Sequence, residues 1–215
     1  MYDAIVVGAR CAGSPTSMLL ARRGYRVLMV DRATFPSDTI STHLLWPHGV
    51  AALSRWGLSS ALEATGAPPI CRPMSFDVGP FALRGTIAAN DGRGGFCPRR
   101  TVLDNLLLQA AVASGVEVRE AFTVESLVFD GDTVVGVRGR HRSGAIAEER
   151  ARLVIGADGV HSLVAKHVRA PEYDRRPVGA CAYYSYFSDV EQDDVELYVR
   201  DHCAVGGAPT NDGLH

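Results

Sequence analysis

The stretch that decides the fold is Tyr2 to Arg32, YDAIVVGARCAGSPTSMLLARRGYRVLMVDR. It opens with an apolar run over Tyr2–Val7, turns at GARCAG, and continues as a helical pattern over Ser14–Arg23. Gly24 suits the position just after a helix, and Tyr25–Val30 is a second apolar run. This succession predicts a βαβ unit at the start of a mostly parallel sheet.

The turn between the first strand and the helix carries the residues of a dinucleotide-binding motif. Gly8 permits a tight turn, and Gly13 lets the helix pack close to the strand. The N–H groups of such a turn meet a pyrophosphate, and a carboxylate like that of Asp31 accepts from ribose hydroxyls. Arg10 replaces the middle glycine, so its Cβ must point away from a phosphate. A purely structural role for the glycines is the alternative, which the βαβ context disfavours.

Two later segments place polar residues at helix starts. GADG (156–159) with Ser162 follows a predicted buried strand over Leu153–Ile155, at the edge where open α/β sheets bind ligands. Asp158 is therefore either a ligand-binding residue or an ordinary N-cap. In RRTVLDNLL (99–107), Arg100 either meets a phosphate or is a solvated arginine. The local patterns leave both alternatives open.

The remaining chain favours short strands. Weak alternation over Met74–Val78 and Phe81–Ile87 predicts antiparallel strands, and Asp130-Gly131 predicts a hairpin. From Val178 onward, the stretches Tyr183–Phe187 and Val195–Val199 are again predicted strands.

Composition and charge exclude several classes of function. A net charge of −2 and a pI near 6.4 give no general attraction to nucleic acid or to an anionic membrane. Five scattered cysteines without a C-x-x-C pair indicate a reduced, metal-free protein rather than a disulfide reductase. No apolar run is long enough to span a membrane, so a cytoplasmic location is expected.

Together, GARCAG with Asp31-Arg32, RRTVLDNLL and GADGVHSLV resemble the FAD-binding family of aromatic-ring hydroxylases, such as para-hydroxybenzoate hydroxylase, and geranylgeranyl reductases. The resemblance spans about Tyr2 to Ser162. It implies an α/β fold with a Rossmann-like FAD-binding domain, formed by segments 1–69 and 99–171. Part of a second, mainly antiparallel β-sheet substrate domain is expected at 70–98 and 172–215, the latter incomplete.

By the same resemblance, one group of residues would hold the ADP half of FAD, and Arg100 would approach the cofactor from its helix. Val124 would lie near the adenine, and Asp158 and Gly159 would serve both FAD and transient contact with NAD(P)H. The ADP group comprises Gly8, Ala9, Arg10, Ala12, Gly13, Asp31 and Arg32. No metal ligand or catalytic residue is assigned, and His43 in the Ser-Thr-His loop is either catalytic or structural.

The resemblance implies an NAD(P)H-dependent monooxygenase that inserts one oxygen of O2 into a small organic substrate through a flavin hydroperoxide. The alternatives are a flavin reductase of isoprenoid double bonds and a non-catalytic remnant of the fold. The family's third FAD motif, a Gly-Asp followed by small residues and a proline, is not found, because Gly131-Asp132 belongs to the predicted hairpin. We therefore expect a C-terminally truncated chain that binds FAD weakly or not at all.

Overall fold

The βαβ unit predicted from the first 30 residues is present in the computed structural model, which describes residues 1–70, 73–86, 94–191 and 195–215. It consists of β1 (Tyr2–Val7), α1 (Gly13–Ala21) and β2 (Val27–Val30). The helix begins one residue before its predicted stretch and ends two residues before the end of that stretch, and the second strand begins two residues later than predicted.

The other elements follow in chain order. They are α2 (Pro47–Arg55), α3 (Ser59–Glu63), β3 (Pro69–Ile70), β4 (Pro73–Asp77), β5 (Ala82–Thr86), β6 (Gly95–Phe96), α4 (Arg100–Ala113), β7 (Glu117–Arg119), β8 (Phe122–Asp130), β9 (Thr133–His141), β10 (Ile146–Gly156), α5 (Leu163–His167), β11 (Glu196–Arg200) and β12 (Cys203–Gly207). A short 3-10 turn covers Asn211–Gly213. Among the described residues, no helix is long and apolar enough to cross a membrane.

The chain divides into two compact units. The first unit contains residues 1–37 and 103–178, and the second contains residues 38–102 and 179–215. The assignment of a cofactor domain and a substrate domain to segments of the chain stays a prediction.

The first unit is built on a six-stranded sheet in the order β7-β2-β1-β10-β9-β8. The pairs β7–β2, β2–β1 and β1–β10 are parallel, whereas β10–β9 and β9–β8 are antiparallel. Strand β10 joins the two parts, because its first half pairs with β9 and its second half with β1. The sheet confirms the predicted Rossmann-like α/β class and the predicted hairpin.

One apolar cluster of this unit combines residues of the sheet with Val164 of helix α5. Its largest fully buried side chain is Phe122, at the start of β8, which packs with the apolar residues of the central strands. The buried members of this cluster are Tyr2, Ile5, Val7, Leu28, Val30, Phe122, Val124, Leu127, Val137, Ala151 and Val164. The four residues of β2 are all buried, as expected for a central parallel strand.

The second unit contains a four-stranded sheet in the order β12-β11-β4-β5 and a two-stranded sheet of β3 and β6. All its pairs are antiparallel except β11 with β4. This confirms the predicted mainly antiparallel second sheet. Residue 87 of the predicted strand Phe81–Ile87 lies outside the described residues.

One predicted strand is wrong. Tyr183–Phe187 alternates in sequence but forms no strand, and only Phe187 makes ladder-like hydrogen bonds, with the backbone of His215. Tyr183 is 93% exposed and Phe187 is 61% exposed. Alternation predicts a strand only where one face is buried against a neighbouring element, which this stretch lacks within the described chain.

Candidate functional site

The glycine turn after β1 and the GADG turn after β10 meet at the carboxyl edge of the parallel strands. The Ala157 N–H donates to the Val7 carbonyl at 2.8 Å, and the Gly8 N–H donates to the Val30 carbonyl at 2.8 Å. Gly8 has a φ of +105°, and a Cβ on it would lie 2.3 Å from the Ala157 oxygen. Only glycine satisfies both the backbone conformation and this close approach.

Gly13 brings helix α1 against the same turn. A Cβ on Gly13 would lie 1.7 Å from the Gly8 carbonyl oxygen and 3.3 Å from Val6 Cγ1. Ser14, which is fully buried, donates its hydroxyl to the Ala9 carbonyl at 2.7 Å. The helix N-terminus is thereby held close to the end of β1, where its N–H groups attract anions.

Asp31 lies at the end of β2, and its carboxylate organises the turns on either side of it. Oδ2 accepts from the Ala9 N–H at 2.7 Å, and Oδ1 accepts from the Ala33 N–H at 2.8 Å. Each carboxylate oxygen accepts more than one hydrogen bond, so Asp31 keeps capacity for a ribose hydroxyl. The Ala9 N–H, by contrast, is used within the protein.

Arg10 is drawn away from the turn by a buried carboxylate on helix α4. Its Nη1 donates to Asp104 Oδ2 at 2.6 Å, and its Nη2 donates to Ser37 Oγ at 3.0 Å. Asp104 is completely buried and also accepts from the Cys11 thiol at 3.2 Å. Two consecutive residues of the glycine turn are therefore tied to one carboxylate, and the arginine in the place of the middle glycine has a structural anchor.

The Asp158 carboxylate accepts from N–H groups at the start of helix α5. Its Oδ2 accepts from the Leu163 N–H at 2.6 Å, and its Oδ1 accepts from the Ser162 hydroxyl at 2.6 Å. Ser162 in turn accepts from the Ala165 N–H at 2.9 Å, as an N-cap does. Ser162 is therefore the N-cap of α5, and Asp158 supports the helix start from outside the helix. Gly159 beside it has a φ of +84°.

The other residues proposed from sequence are placed as follows. Arg32 is exposed at the end of β2, and Arg100 is the first residue of α4 and belongs to the second unit. The Val124 side chain is buried in the core cluster of the first unit, so only its backbone is available to a nucleotide. Their contacts with a cofactor stay predictions.

In the second unit, His43 joins an aromatic cluster. His43 Nε2 contacts the Tyr186 hydroxyl at 2.7 Å, and its Nδ1 contacts the Ser41 carbonyl at 2.8 Å. A carbonyl only accepts, so Nδ1 carries the proton and Tyr186 donates to Nε2. Burial, followed by the charge of Asp38, raises the pKa of Tyr186, although the Arg99 guanidinium opposes this from 4.6 Å above the ring.

Sequence reasoning assigned no role to Asp104 or Tyr186. For Asp104, the sequence contains a usable signal: this carboxylate precedes Leu107 and Leu108 by three and four residues, a spacing that places the three on one helix face, while an arginine replaces a glycine in the turn. A buried charge needs a partner of opposite charge, so these two unusual positions together indicate a pair between Asp104 and Arg10. For Tyr186, we find no comparable signal in the sequence.

Comparison with known proteins places these features in a family context. The chain is 28% identical over 213 residues to digeranylgeranylglycerophospholipid reductase 2 of Methanococcoides burtonii, covering 96% of this chain and 50% of that protein. The structure superposes on the myxobacterial chondrochloren halogenase CndH with a TM-score of 0.82 and 27% identity, covering 99% of this chain and 51% of that one. It shares the fold of PqsL, a probable FAD-dependent monooxygenase of Pseudomonas aeruginosa, with a TM-score of 0.78, 21% identity and coverage of 99% and 58%.

The chain spans about half the length of the curated relatives it matches. The family model described as FAD binding domain matches residues 1–210, nearly the whole sequence. This chain therefore belongs to the FAD binding domain family.

Proposed function

We propose that the chain holds FAD where the turns after β1 and β10 meet, and that it serves an FAD-dependent oxidoreductase. The meeting of the two turns at Gly8 and Ala157 carries this proposal, because it lies at the carboxyl edge of the parallel strands, where open α/β sheets bind ligands. Family membership supports FAD as the cofactor. Bound FAD would supply the electron transfer, and the residues of this chain would hold and orient it.

The residues around the turns fit a dinucleotide. The N–H groups of Ala12 and Gly13, at the start of α1, are suited to a pyrophosphate, since the Ala9 N–H already donates to Asp31. Asp31 would accept from a ribose hydroxyl, and Arg32 beside it would contribute to the ADP half. Asp158 would act mainly by fixing its turn.

The other positions complete the proposed cofactor site. Arg10 would hold the turn in shape through Asp104 rather than bind phosphate. Val124 would meet adenine through its backbone, and Arg100 would contribute its charge from the start of α4. Gly159 would belong to the turn shared by FAD and a transient NAD(P)H.

We propose an NAD(P)H-dependent monooxygenase acting on a small organic substrate with O2 as the more specific function. The resemblance to ring hydroxylases supports it, as does the fold shared with a probable FAD-dependent monooxygenase. A flavin reductase of isoprenoid double bonds is the second candidate, supported by a relative named as a digeranylgeranylglycerophospholipid reductase. Either protein would use the same residues to hold FAD.

Flavin titration tests the cofactor proposal. FAD titrated in excess into the purified protein should change the visible spectrum of the flavin and saturate at one equivalent, even where the affinity is weak. Gly13→Ala should lose this binding, because its Cβ would lie 1.7 Å from a backbone oxygen. Gly85→Ala is the matched control, since a Cβ there meets no atom within 4 Å. Failure of the folded wild-type protein to bind FAD would contradict the proposal.

The two candidate reactions differ in their electron acceptor. A monooxygenase should consume O2 and NAD(P)H in proportion to hydroxylated product when small organic substrates are supplied. A reductase should saturate a prenyl chain without O2 under reducing conditions. Stoichiometric FAD binding without either activity would favour the third interpretation, a non-catalytic form of the fold.

A further inference from the structure

The guanidinium group of Arg99, in the second unit, has a buried donor without an acceptor. Its Nε has no hydrogen-bond partner among the residues that the structure describes. Its Nη1 lies 3.5 Å from Asp212 Oδ2, beyond the usual length of a hydrogen bond, and that carboxylate is exposed. Buried polar groups in native proteins almost always have a partner, so this N–H indicates a place where a ligand supplies the acceptor.

The backbone that carries Arg99 is fixed by the end of the second unit. The Arg99 N–H donates to Asn211 Oδ1 at 3.0 Å, and the buried Asn211 donates its Nδ2 to the Thr65 carbonyl at 2.9 Å. The neighbouring Thr210 donates its hydroxyl to the Cys97 carbonyl at 2.5 Å. The arginine side chain is therefore positioned before any ligand arrives.

Aromatic rings hold the guanidinium on one side. Its Cζ lies 4.6 Å from the ring centroid of Tyr186, which is held by its hydrogen bond to His43 and by the ring of Tyr184 at 5.7 Å. Stacking on a ring uses the flat face of a guanidinium and leaves the N–H groups in its plane for an acceptor. The Arg99 side chain is 26% exposed, so a ligand can reach it from solvent.

We infer that Arg99 binds the carboxylate group of a small organic acid, beside the rings of Tyr184 and Tyr186. A carboxylate carries two acceptor oxygens in one plane, which match the paired N–H donors of an arginine. One of these oxygens would accept from Nε. The half-exposed ring of Tyr184 would pack against the apolar part of the acid.

Two carboxylates of the chain influence this site. Asp212 competes with a ligand directly, because it contacts the guanidinium, whereas the charge of Asp38 acts on Tyr186, whose pKa is raised first by burial and then by this charge. Asp212 is exposed and its contact is long, so an incoming carboxylate can replace it. Removal of the Asp212 charge should therefore strengthen binding, whereas removal of the Arg99 charge should weaken it.

The inference goes beyond the cofactor site, because none of these residues has a proposed role toward FAD. As a statement about a binding site, it does not depend on FAD. As a statement about the substrate, it rests on the proposed function and narrows the small organic substrate to one that carries a carboxylate.

Ligand-detected NMR, which is suited to weak ligands, tests the inference with benzoate, hexanoate and the uncharged benzyl alcohol. At least one of the two acids should bind, and benzyl alcohol should bind about tenfold more weakly. Arg99→Gln should weaken binding of the acid about tenfold, as loss of a charge-assisted hydrogen bond does. Arg84→Gln is the matched control and should leave binding unchanged, because Arg84 is an exposed arginine on strand β5 of the same unit.

Asp212→Asn supplies a second variant whose effect has the opposite sign. It should strengthen binding of the acid about two- to fivefold at low salt, which a merely damaged fold would not do. Equal binding of benzyl alcohol, equal effects of Arg99→Gln and Arg84→Gln, or weaker binding by Asp212→Asn would overturn the inference. Each titration is made with and without FAD, so that binding of FAD without binding of either acid refutes this inference alone.

Discussion

Replacement of Asp104 by Asn should destabilise the first unit and weaken FAD binding. The variant keeps the shape of the side chain but removes the charge that Arg10 contacts at 2.6 Å, and it turns one acceptor for Arg10 and Cys11 into a donor. Removing one partner of a buried ion pair costs about 3–5 kcal/mol. Arg10 is 26% exposed, so water recovers part of this, and we expect a loss of about 2–3 kcal/mol.

Urea unfolding followed by circular dichroism measures this loss. With a denaturant dependence of about 2–3 kcal/mol per molar urea, the midpoint should fall by roughly 1 M. Glu148→Gln is the control, because it makes the same chemical change in an exposed pair with Arg150 and should shift stability by less than about 0.5 kcal/mol. A midpoint for Asp104→Asn equal to that of the control would refute the proposed anchoring of the turn.

Three further predictions concern single groups. Tyr2→Phe removes the hydrogen bond that is the main cause of the lowered pKa of Glu117. A carboxylate with a lowered pKa stabilises the folded protein at pH values above its ordinary pKa of 4.5, and this stabilisation is lost as the pH falls through the pKa of the folded state. In urea unfolding, the stability difference between wild type and Tyr2→Phe should therefore shrink below about pH 4.5, and a constant difference would contradict this role of Tyr2. Burial raises the pKa of the Cys97 thiol to about 11, so iodoacetamide at pH 8 should label it much more slowly than the exposed cysteines in peptide mass spectrometry, and equal rates would contradict its burial. Tyr186→Phe should shift the neutral His43 ring from the Nδ1–H form toward a mixture of tautomers, and identical imidazole 15N spectra in both proteins would exclude the described hydrogen bond.

The parts of the fold predicted from sequence are those decided by local rules. A strand, a tight turn and a helix are each specified by consecutive residues, here an apolar run that ends at a glycine. The predicted bounds of the strand Tyr2–Val7 therefore agree with the observed ones. The roles of Gly8 and Gly13 in close packing also follow from local chemistry, and the structure gives them distances. Pro47 begins helix α2, a position where proline costs no hydrogen bond.

The parts that were not predicted depend on residues far apart in the chain. Arg10 and Asp104 are brought together by the packing of α4 against the glycine turn; each residue is unusual at its own position, but the contact between them depends on the fold. Asp158 shows a different limit, since a ligand-binding carboxylate and a helix cap follow the same local pattern. Tyr183 shows a third, because alternation does not reveal whether a partner strand exists.

Strand β10 has a consequence for the order in which the chain folds. Its first half pairs with β9, the strand just before it in the chain. Its second half pairs with β1 at the start of the chain, as in the pair of Ala151 with Tyr2. Hairpins form within microseconds, but closing a loop of about 150 residues costs more entropy and is slower. We therefore expect the β8–β9–β10 meander to form first and to offer its free edge as the template on which β1 docks. The contact between Gly8 and Ala157 would then be among the last to form. The folding chain would therefore complete the β8–β9–β10 part of its sheet before the two turns of the proposed FAD site come together.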